Sequence, residues 1–307
     1  MNSSKNYTLP LVSAVIITHN RLDLVVKAIA SVQKQTYPDV ELLVVDDAST
    51  DGTLEKMTAM AAEKRFRYIY VPPEESKGGN HARNIGILAS KGLYVAFLDD
   101  DDEWLPEKTE KQVTFLMSHS EILAVHCGKI FEYNFKVKKT RPIEELPEGD
   151  YFERVWSKVP FTTSCLMVRR ELFDRIGYFD EELRFWQEYE LSIRITAVSQ
   201  IGVVKENLVL YRIVEKDANR LTNKVLGWED TVAYIEEKYR DRLSSLSKGQ
   251  MKQHKLFIYK DGVLRSCNGK DLRSKRKYLK KIFLLQPNLK NFLRYALNRK
   301  TLRREIK

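Results

Sequence analysis

Short apolar runs recur along the first hundred residues and alternate with stretches in which apolar side chains return every three or four positions. Residues 11–17, 40–45, 68–71 and 93–98 form the runs, and their β-branched and aromatic content predicts strands buried on both faces. Helical spacing fills the intervals at 22–35, 53–64 and 80–90. Such alternation implies parallel strands joined by right-handed crossovers, hence a doubly wound, mostly parallel α/β sheet. Ligands in that architecture gather at the carboxyl ends of the strands. Three polar clusters stand there: Thr18, His19 and Asn20 after the first run, Asp46 and Asp47 after the second, and Asp99 to Asp102 after the fourth.

The pattern continues with a helix at 106–118, strands at 124–133, 163–168 and 208–213, and a helix at 187–198. Residues 136–150, rich in charge and proline, predict a mobile loop. Beyond residue 220 the spacing is wholly helical, with Gly262 and Gly269 as expected breaks, and a domain boundary is placed near 222.

The acidic run carries the clearest chemistry. Four adjacent carboxylates repel one another unless a cation or water relieves them, and a divalent ion bound to a substrate diphosphate would do so. The plainer alternative is a helix start, because Asp102 and Glu103 precede Trp104, Leu105, Pro106 and Glu107. A second acidic pair, Glu188 and Glu190, lies on the 187–198 helix, where a two-residue step turns roughly 200° about the axis, so one pocket cannot receive both. Glu190 precedes Arg194 by four positions, the favourable order for an ion pair, which frees Glu188 for chemistry.

Composition narrows the class. In 307 residues, 43% hydrophobic and 31% charged positions suit a folded chain with a sizeable core. Cys127, Cys165 and Cys267 form neither a disulfide framework nor a zinc spacing, which fits a reducing cytoplasm. No apolar run approaches the roughly 18 residues of a membrane span, and 9–17 reads as a first strand and not as a signal peptide. Residues 18–23 hold no glycine-rich dinucleotide fingerprint, and no P-loop occurs, which disfavours nicotinamide enzymes and P-loop NTPases.

The net charge of +10 is uneven: residues 274–307 hold twelve Lys or Arg against Glu305, a net +11, leaving −1 for the remainder. Leu289, Phe292, Leu293, Ala296 and Leu297 follow helical spacing there, with Lys290, Arg294, Arg299, Lys300, Arg303 and Arg304 among them. Two readings stand: a helix lying on an anionic membrane surface, or an apolar stripe docked on the main domain with a solvated basic face. No nucleic-acid motif accompanies the basic segment, and no nucleic-acid partner is expected.

The strings VSAVIITHNR, SVQKQTYPDVELLVVDDASTDGT, GGNHARNIGILASKG and LYVAFLDDDDEW occur in the order and spacing of the nucleotide-sugar-binding half of the family 2 glycosyltransferases. Residues 163–195 look like that family's acceptor-side segment, so the resemblance covers roughly residues 11–213. It implies a GT-A fold over 1–221, with a nucleotide-binding half at 9–104 and an acceptor half at 105–221, followed by a helical region at 222–307.

By that resemblance Thr18, His19 and Asn20 match the loop holding the nucleotide, and Asp47 matches the residue that accepts a hydrogen bond from the uracil edge. Asn80 and Arg83 fall on the donor side, Asp99 at the ribose and Asp101 at a metal ion, Mn²⁺ or Mg²⁺. Glu188 matches the general base of an inverting single displacement, where the family more often has aspartate, and the neighbouring Trp186 is assigned to acceptor contact. The plainer roles are a turn for Asp46 and Asp47, surface exposure for Arg83, packing for His19 and core filling for Trp186. Where many relatives carry a diphosphate-binding histidine or arginine in the loop after the last strand, residues 214–218 here include no histidine, and Arg212, Lys216 or Arg220 would substitute.

The implied activity is transfer from a nucleotide-sugar, a UDP-sugar by the Asp47 match, to a saccharide or lipid-linked saccharide in cell-surface polysaccharide synthesis. A cytoplasmic enzyme, or one on the inner face of the cell membrane through residues 274–307, would meet such an acceptor. The alternatives are a nucleotidyltransferase of related fold and a non-catalytic membrane-associated scaffold.

Overall fold

The computed structural model describes residues 9–64, 66–213, 221 and 224–297, and the described chain divides into two compact units. The first comprises the chain through Phe152, Pro160–Glu182 and Gln187–Ile213; the second comprises Glu153–Val159, Leu183–Trp186 and the chain from Val214 onward.

In the first unit the elements run β1 (Val12–Thr18), α1 (Leu22–Gln33), β2 (Val40–Asp47), α2 (Thr53–Lys64), β3 (Arg67–Val71), α3 (Gly79–Ala89) and β4 (Tyr94–Asp99). They continue with β5 (Glu103–Trp104), α4 (Lys108–Ser118), β6 (Ala124–Tyr133), β7 (Val137–Thr140), β8 (Met167–Arg169), α5 (Leu172–Ile176), α6 (Gln187–Val198) and β9 (Ile201–Ile213). One nine-stranded sheet results, in the order β3-β2-β1-β4-β8-β6-β9-β5, with β7 beside β6. Its β3-β2-β1-β4 half is parallel, as the crossovers require, whereas β8 enters antiparallel between β4 and β6. The sheet is therefore mixed.

Alternate residues explain the continuous apolar runs. Val12, Ala14 and Ile16 of β1 share a core with Val25, Ala28 and Ile29 of α1, while Ile17, Val45 and Val71 pack with Ala82 and Ile85 of α3. Helices thus cover both faces, and each fully buried aliphatic side chain contributes about 1.5–3 kcal/mol. Close approach on the α3 face requires Gly86, since a Cβ there would stand 2.4 Å from Val15 Cγ1.

Several local expectations are corrected. The Asp102–Glu107 stretch does not begin a helix at Pro106: Glu103 and Trp104 pair antiparallel with β9, and α4 starts at Lys108. The expected strand at 163–168 is a 3₁₀ turn, Thr163–Cys165, before β8. Within the expected loop 136–150, Val137–Thr140 pairs with β6 and Ile143–Glu145 forms a 3₁₀ turn. Residues 201–207 extend the last strand because β6 pairs with it along its whole length.

The second unit holds α7 (Trp228–Lys238), α8 (Arg240–Ser244), α9 (Lys248–Asn268), α10 (Leu272–Leu285) and α11 (Leu289–Leu297). Ser247 caps α9 through a reciprocal capping box with Gln250. Gly262 lies inside α9 and does not break it; a Cβ there would come within 2.7 Å of the Tyr278 ring of α10. Gly269 does end α9. Segments 153–159 and 183–186 bring Trp156 and Trp186 into this unit, which a linear division at residue 222 does not anticipate.

Candidate active site

The site is built where β1, β2 and β4 end side by side, Thr18 beside Asp46 and Ile17 beside Asp99. After β1 the backbone turns through Asn20 at φ 54°, a left-handed conformation that asparagine tolerates better than most residues. Asn20 Oδ1 accepts from Thr50 N at 2.6 Å, and its backbone N donates to Ser49 Oγ at 2.8 Å. His19 Nδ1 lies 2.5 Å from the Asp47 carbonyl, which assigns it the proton, leaving Nε2 to accept from Asn20 Nδ2 at 3.0 Å. These bonds fix the Thr18–Asn20 loop against residues 47–50.

The two aspartates that end β2 do different work. Asp46 is fully buried, accepting from Ser49 N at 2.9 Å and from the Tyr68 hydroxyl at 2.6 Å, and is a structural clamp. Burial, with Asp46 beside it, pushes the Tyr68 phenol up. Asp47 is 6% exposed and its Oδ1 is buried without a hydrogen-bond partner. A buried acceptor without a donor is costly and calls for a ligand or water.

At the end of β4 the four aspartates divide as well. Asp99 Oδ1 accepts from Arg83 Nη2 at 2.6 Å, and Arg83 Nη1 donates to Gln187 Oε1 at 2.7 Å. Arg83 is 6% exposed, so it is a buried cation and not a surface side chain. Its helix opens at Gly78, φ 91°, where the left-handed backbone favours glycine. Asn80 on the same turn is buried, with Nδ2 donating to the Asp180 carbonyl at 2.6 Å.

Asp100 accepts from Thr18 Oγ1 and from Arg21 Nη1, both at 2.9 Å, and Arg21 also lies 3.5 Å from Asp101. Asp102 is fully buried and accepts from Ser164 Oγ at 2.6 Å and the Arg212 backbone N at 3.0 Å. Burial pushes Asp100 up to about 7, against the opposing pull of Arg21. Asp102 is raised by burial and then by the charges of Asp101 and Asp99. Asp99, Asp101 and Asp102 can each present an oxygen within 4.8 Å of the others. Three carboxylates against the two cations Arg83 and Arg21 leave an all-oxygen, acid-rich set that suits a hard divalent cation, so these residues fit the expected metal.

Glu188 lies half-buried in the first turn of α6. Burial raises its pKa, Asp99 adds to the rise, and Arg83 and Lys129 oppose it. Glu190 is fully buried and bound by Arg194 through three hydrogen bonds, at 2.9, 3.1 and 2.6 Å, as the sequence order suggested.

Trp186 belongs to the second unit, where its ring stacks on Phe257, meets Trp228 edge-on, and donates from Nε1 to Asp261 at 2.8 Å. At 9% exposure it fills a core, the plainer of its two readings. Arg212, a considered diphosphate ligand, is 6% exposed and bound to Glu103 and, at 2.9 Å, Glu132. Lys216, Arg220 and the loop around them lie outside the described residues.

Four groups received no role from the sequence. Arg21 sits on Asp100 and Asp101, Ser164 holds Asp102, Gln187 holds Arg83, and Lys129 donates to Thr162 Oγ1 at 3.1 Å with its Nζ 4.1 Å from the Tyr211 ring centre. Arg21 alone carried a local signal, being a cation directly after the Thr18–Asn20 loop.

The family model described as Glycosyl transferase family 2 matches residues 13–177. The putative teichuronic acid biosynthesis glycosyltransferase TuaG of Bacillus subtilis is 39% identical over 214 residues, which cover 67% of this chain and 80% of TuaG. An uncharacterized glycosyltransferase of Rickettsia prowazekii is 29% identical over 275 residues, 85% of this chain and 84% of its own length. Another, from Rickettsia felis, is 31% identical, and the match spans 33% of that longer protein.

Among solved structures, S. aureus TarS in complex with UDP-GlcNAc superposes with a TM-score of 0.66 at 17% identity, over 90% of this chain and 82% of that one. The mannosyltransferase PcManGT from Pyrobaculum calidifontis, in complex with GDP-Man and Mn²⁺, gives a TM-score of 0.59 at 18% identity, over 95% and 80%. At those identities the likeness speaks to the fold, which is that of GT-A glycosyltransferases. The family model and the glycosyltransferase relatives, not the fold likeness, identify the chain as a glycosyltransferase. This chain belongs to glycosyltransferase family 2.

Proposed function

We propose that the protein is a metal-dependent, inverting glycosyltransferase that uses a UDP-sugar and extends a saccharide or lipid-linked saccharide during polysaccharide synthesis. The observation carrying this reading is the division of labour at the sheet edge. Asp46, Asp100 and Asp102 are engaged within the protein, while Asp47 retains a buried acceptor and Asp99 and Asp101 are the more exposed acids of their run.

Asp47 Oδ1 would accept the ring N–H of uracil, with Thr18, His19, Asn20 and Asn80 shaping the nucleotide site. Arg83 holds Asp99 in position for the ribose and brings positive charge to the donor. Asp101, with Asp99 and Asp102 beside it, would hold Mn²⁺ or Mg²⁺. When bound, that ion supplies Lewis-acid neutralisation of the charge developing on the departing diphosphate. Glu188 takes the proton from the acceptor hydroxyl as it attacks the anomeric carbon, and its raised pKa suits a base working near neutrality.

TuaG bears a name from polysaccharide synthesis, TarS was solved with UDP-GlcNAc, and PcManGT with GDP-Man and Mn²⁺, so both donor bases enter the test. Thermal shift with UDP- and GDP-sugars, each with Mn²⁺ or Mg²⁺, should show stabilisation by a UDP-sugar that depends on metal. Stabilisation by GDP-sugars alone would overturn the uridine assignment. A shift unaffected by EDTA would overturn the metal assignment.

A further inference from the structure

Helix α11 turns its apolar side outward. At roughly 100° per residue, Leu289, Phe292, Leu293 and Ala296 share one face. All four are exposed, Leu289 by 72%, Phe292 by 46% and Leu293 by 43%. The opposite side carries Asn291, 6% exposed, whose Nδ2 donates to the Gln286 carbonyl at 2.9 Å, and Tyr295, which stacks on Phe283 of α10; Phe292, at the edge of the stripe, also meets the Phe283 ring at 5.8 Å and keeps nearly half of its surface exposed. An amphipathic helix docked on its own protein does the reverse, burying its apolar stripe. Within the described residues of its own unit, the stripe is left largely uncovered.

Charge identifies the occupant. Residues 272–297 contain eight Lys or Arg and no Asp or Glu. Lys290 and Arg294 fall along one border of the exposed stripe, and Leu284 at the end of α10, 66% exposed, adds to the apolar surface. We propose that this face of α11, with Leu284, beds in the headgroup layer of an anionic phospholipid bilayer. Lys290, Arg294 and the exposed cations Arg276 and Lys280 of α10 would meet lipid phosphates, while the leucines and Phe292 reach the acyl boundary. No helix among the described residues is long and apolar enough to cross a membrane, so α11 would lie in the interface plane. A second copy of the chain would set like charge against like charge. A nucleic acid would satisfy the cations and leave Leu289 and Phe292 in water.

The test is cosedimentation of the full chain with vesicles of phosphatidylcholine alone or with about 30% phosphatidylglycerol, at low and high salt. Binding to the anionic vesicles should exceed binding to the neutral ones at least ~10-fold, weaken with salt, and fall at least ~10-fold in Leu289→Ser/Phe292→Ser. In a parallel readout needing no variant, amide hydrogen exchange of the unmodified chain should slow over residues 289–296 on anionic vesicles. Equal binding to both vesicle types, an unaffected double variant, or unchanged exchange over 289–296 would overturn the proposal. So would a stripe-dependent dimer in light scattering without lipid, or stripe-independent binding to single-stranded nucleic acid in place of vesicles.

Discussion

Replacing Glu188 by glutamine removes one ionisable oxygen from the first turn of α6 and keeps the side chain's length. A positioned general base contributes about 10²–10⁴ in rate, or about 2.7–5.4 kcal/mol of barrier, and kcat for transfer should fall by that factor. Stability should not fall. Burial, with Asp99 near it, raises the Glu188 pKa, so ionising this carboxyl opposes folding, and its stabilising contribution is lost as pH rises through the raised value. At neutral pH the amide variant should therefore melt at or above the temperature of the parent.

The same electrostatics fixes a pH signature. Transfer needs the ionised base, so kcat should decline on the acid side at a pH above the ordinary glutamate range. Lys129 opposes the rise, and Lys129→Met should move that acid limb upward. Initial rates of nucleoside diphosphate release across pH, beside nucleotide affinity by calorimetry, separate chemistry from binding. A Glu188→Gln enzyme within about threefold of the parent kcat, or an acid limb that moves downward in Lys129→Met, would refute the base assignment.

Asp101→Asn should abolish the Mn²⁺-induced thermal shift and lower transfer at least ~100-fold. The metal-free protein should melt no lower, because Asp101 raises the pKa of both Asp100 and Asp102 and its loss relieves them. Asp47→Ala, deleting the unpartnered acceptor, should weaken UDP binding ~10- to 100-fold in calorimetry while leaving Mn²⁺ affinity unchanged. Gly262→Ala should destabilise by about 1–3 kcal/mol in denaturant melts, since its Cβ would meet three Tyr278 ring atoms at 2.7–2.8 Å and the Glu229 carboxylate holds that ring's hydroxyl.

β1, β2 and β4 were legible to within one or two residues because burial on both faces writes an unbroken apolar run, and β3, only half-buried, was legible from its aromatic and β-branched residues. β7 was not, because the sequence Val-Lys-Lys-Thr there holds no apolar run and reads as loop, although the segment pairs with β6. β5 is only two residues long and precedes Pro106, so the local signals belonged to the helix that follows. At Gly262 propensity pointed to a break, whereas contact with Tyr278, sixteen positions later, gives the glycine a packing reason.

The active site shows the same divide more sharply. That acids gather at the end of β4 is a local fact, visible in four letters, but which of the four are spent inside the protein is decided from elsewhere in the chain. Ser164 and the Arg212 backbone take Asp102, Thr18 and Arg21 take Asp100, and these partners stand 62 to 110 positions away. The acidic pair on α6 was separable only because the competitor for Glu190, Arg194, lies one helical turn along. For α11 the amphipathic period was plain, yet no periodicity says which face a helix buries. Asn291 and Tyr295 settle that inward side through Gln286 and Phe283, and so leave the apolar stripe outside. Pattern thus locates chemistry to the segment; the choice among identical side chains within it follows from hydrogen-bond partners that only the fold brings near.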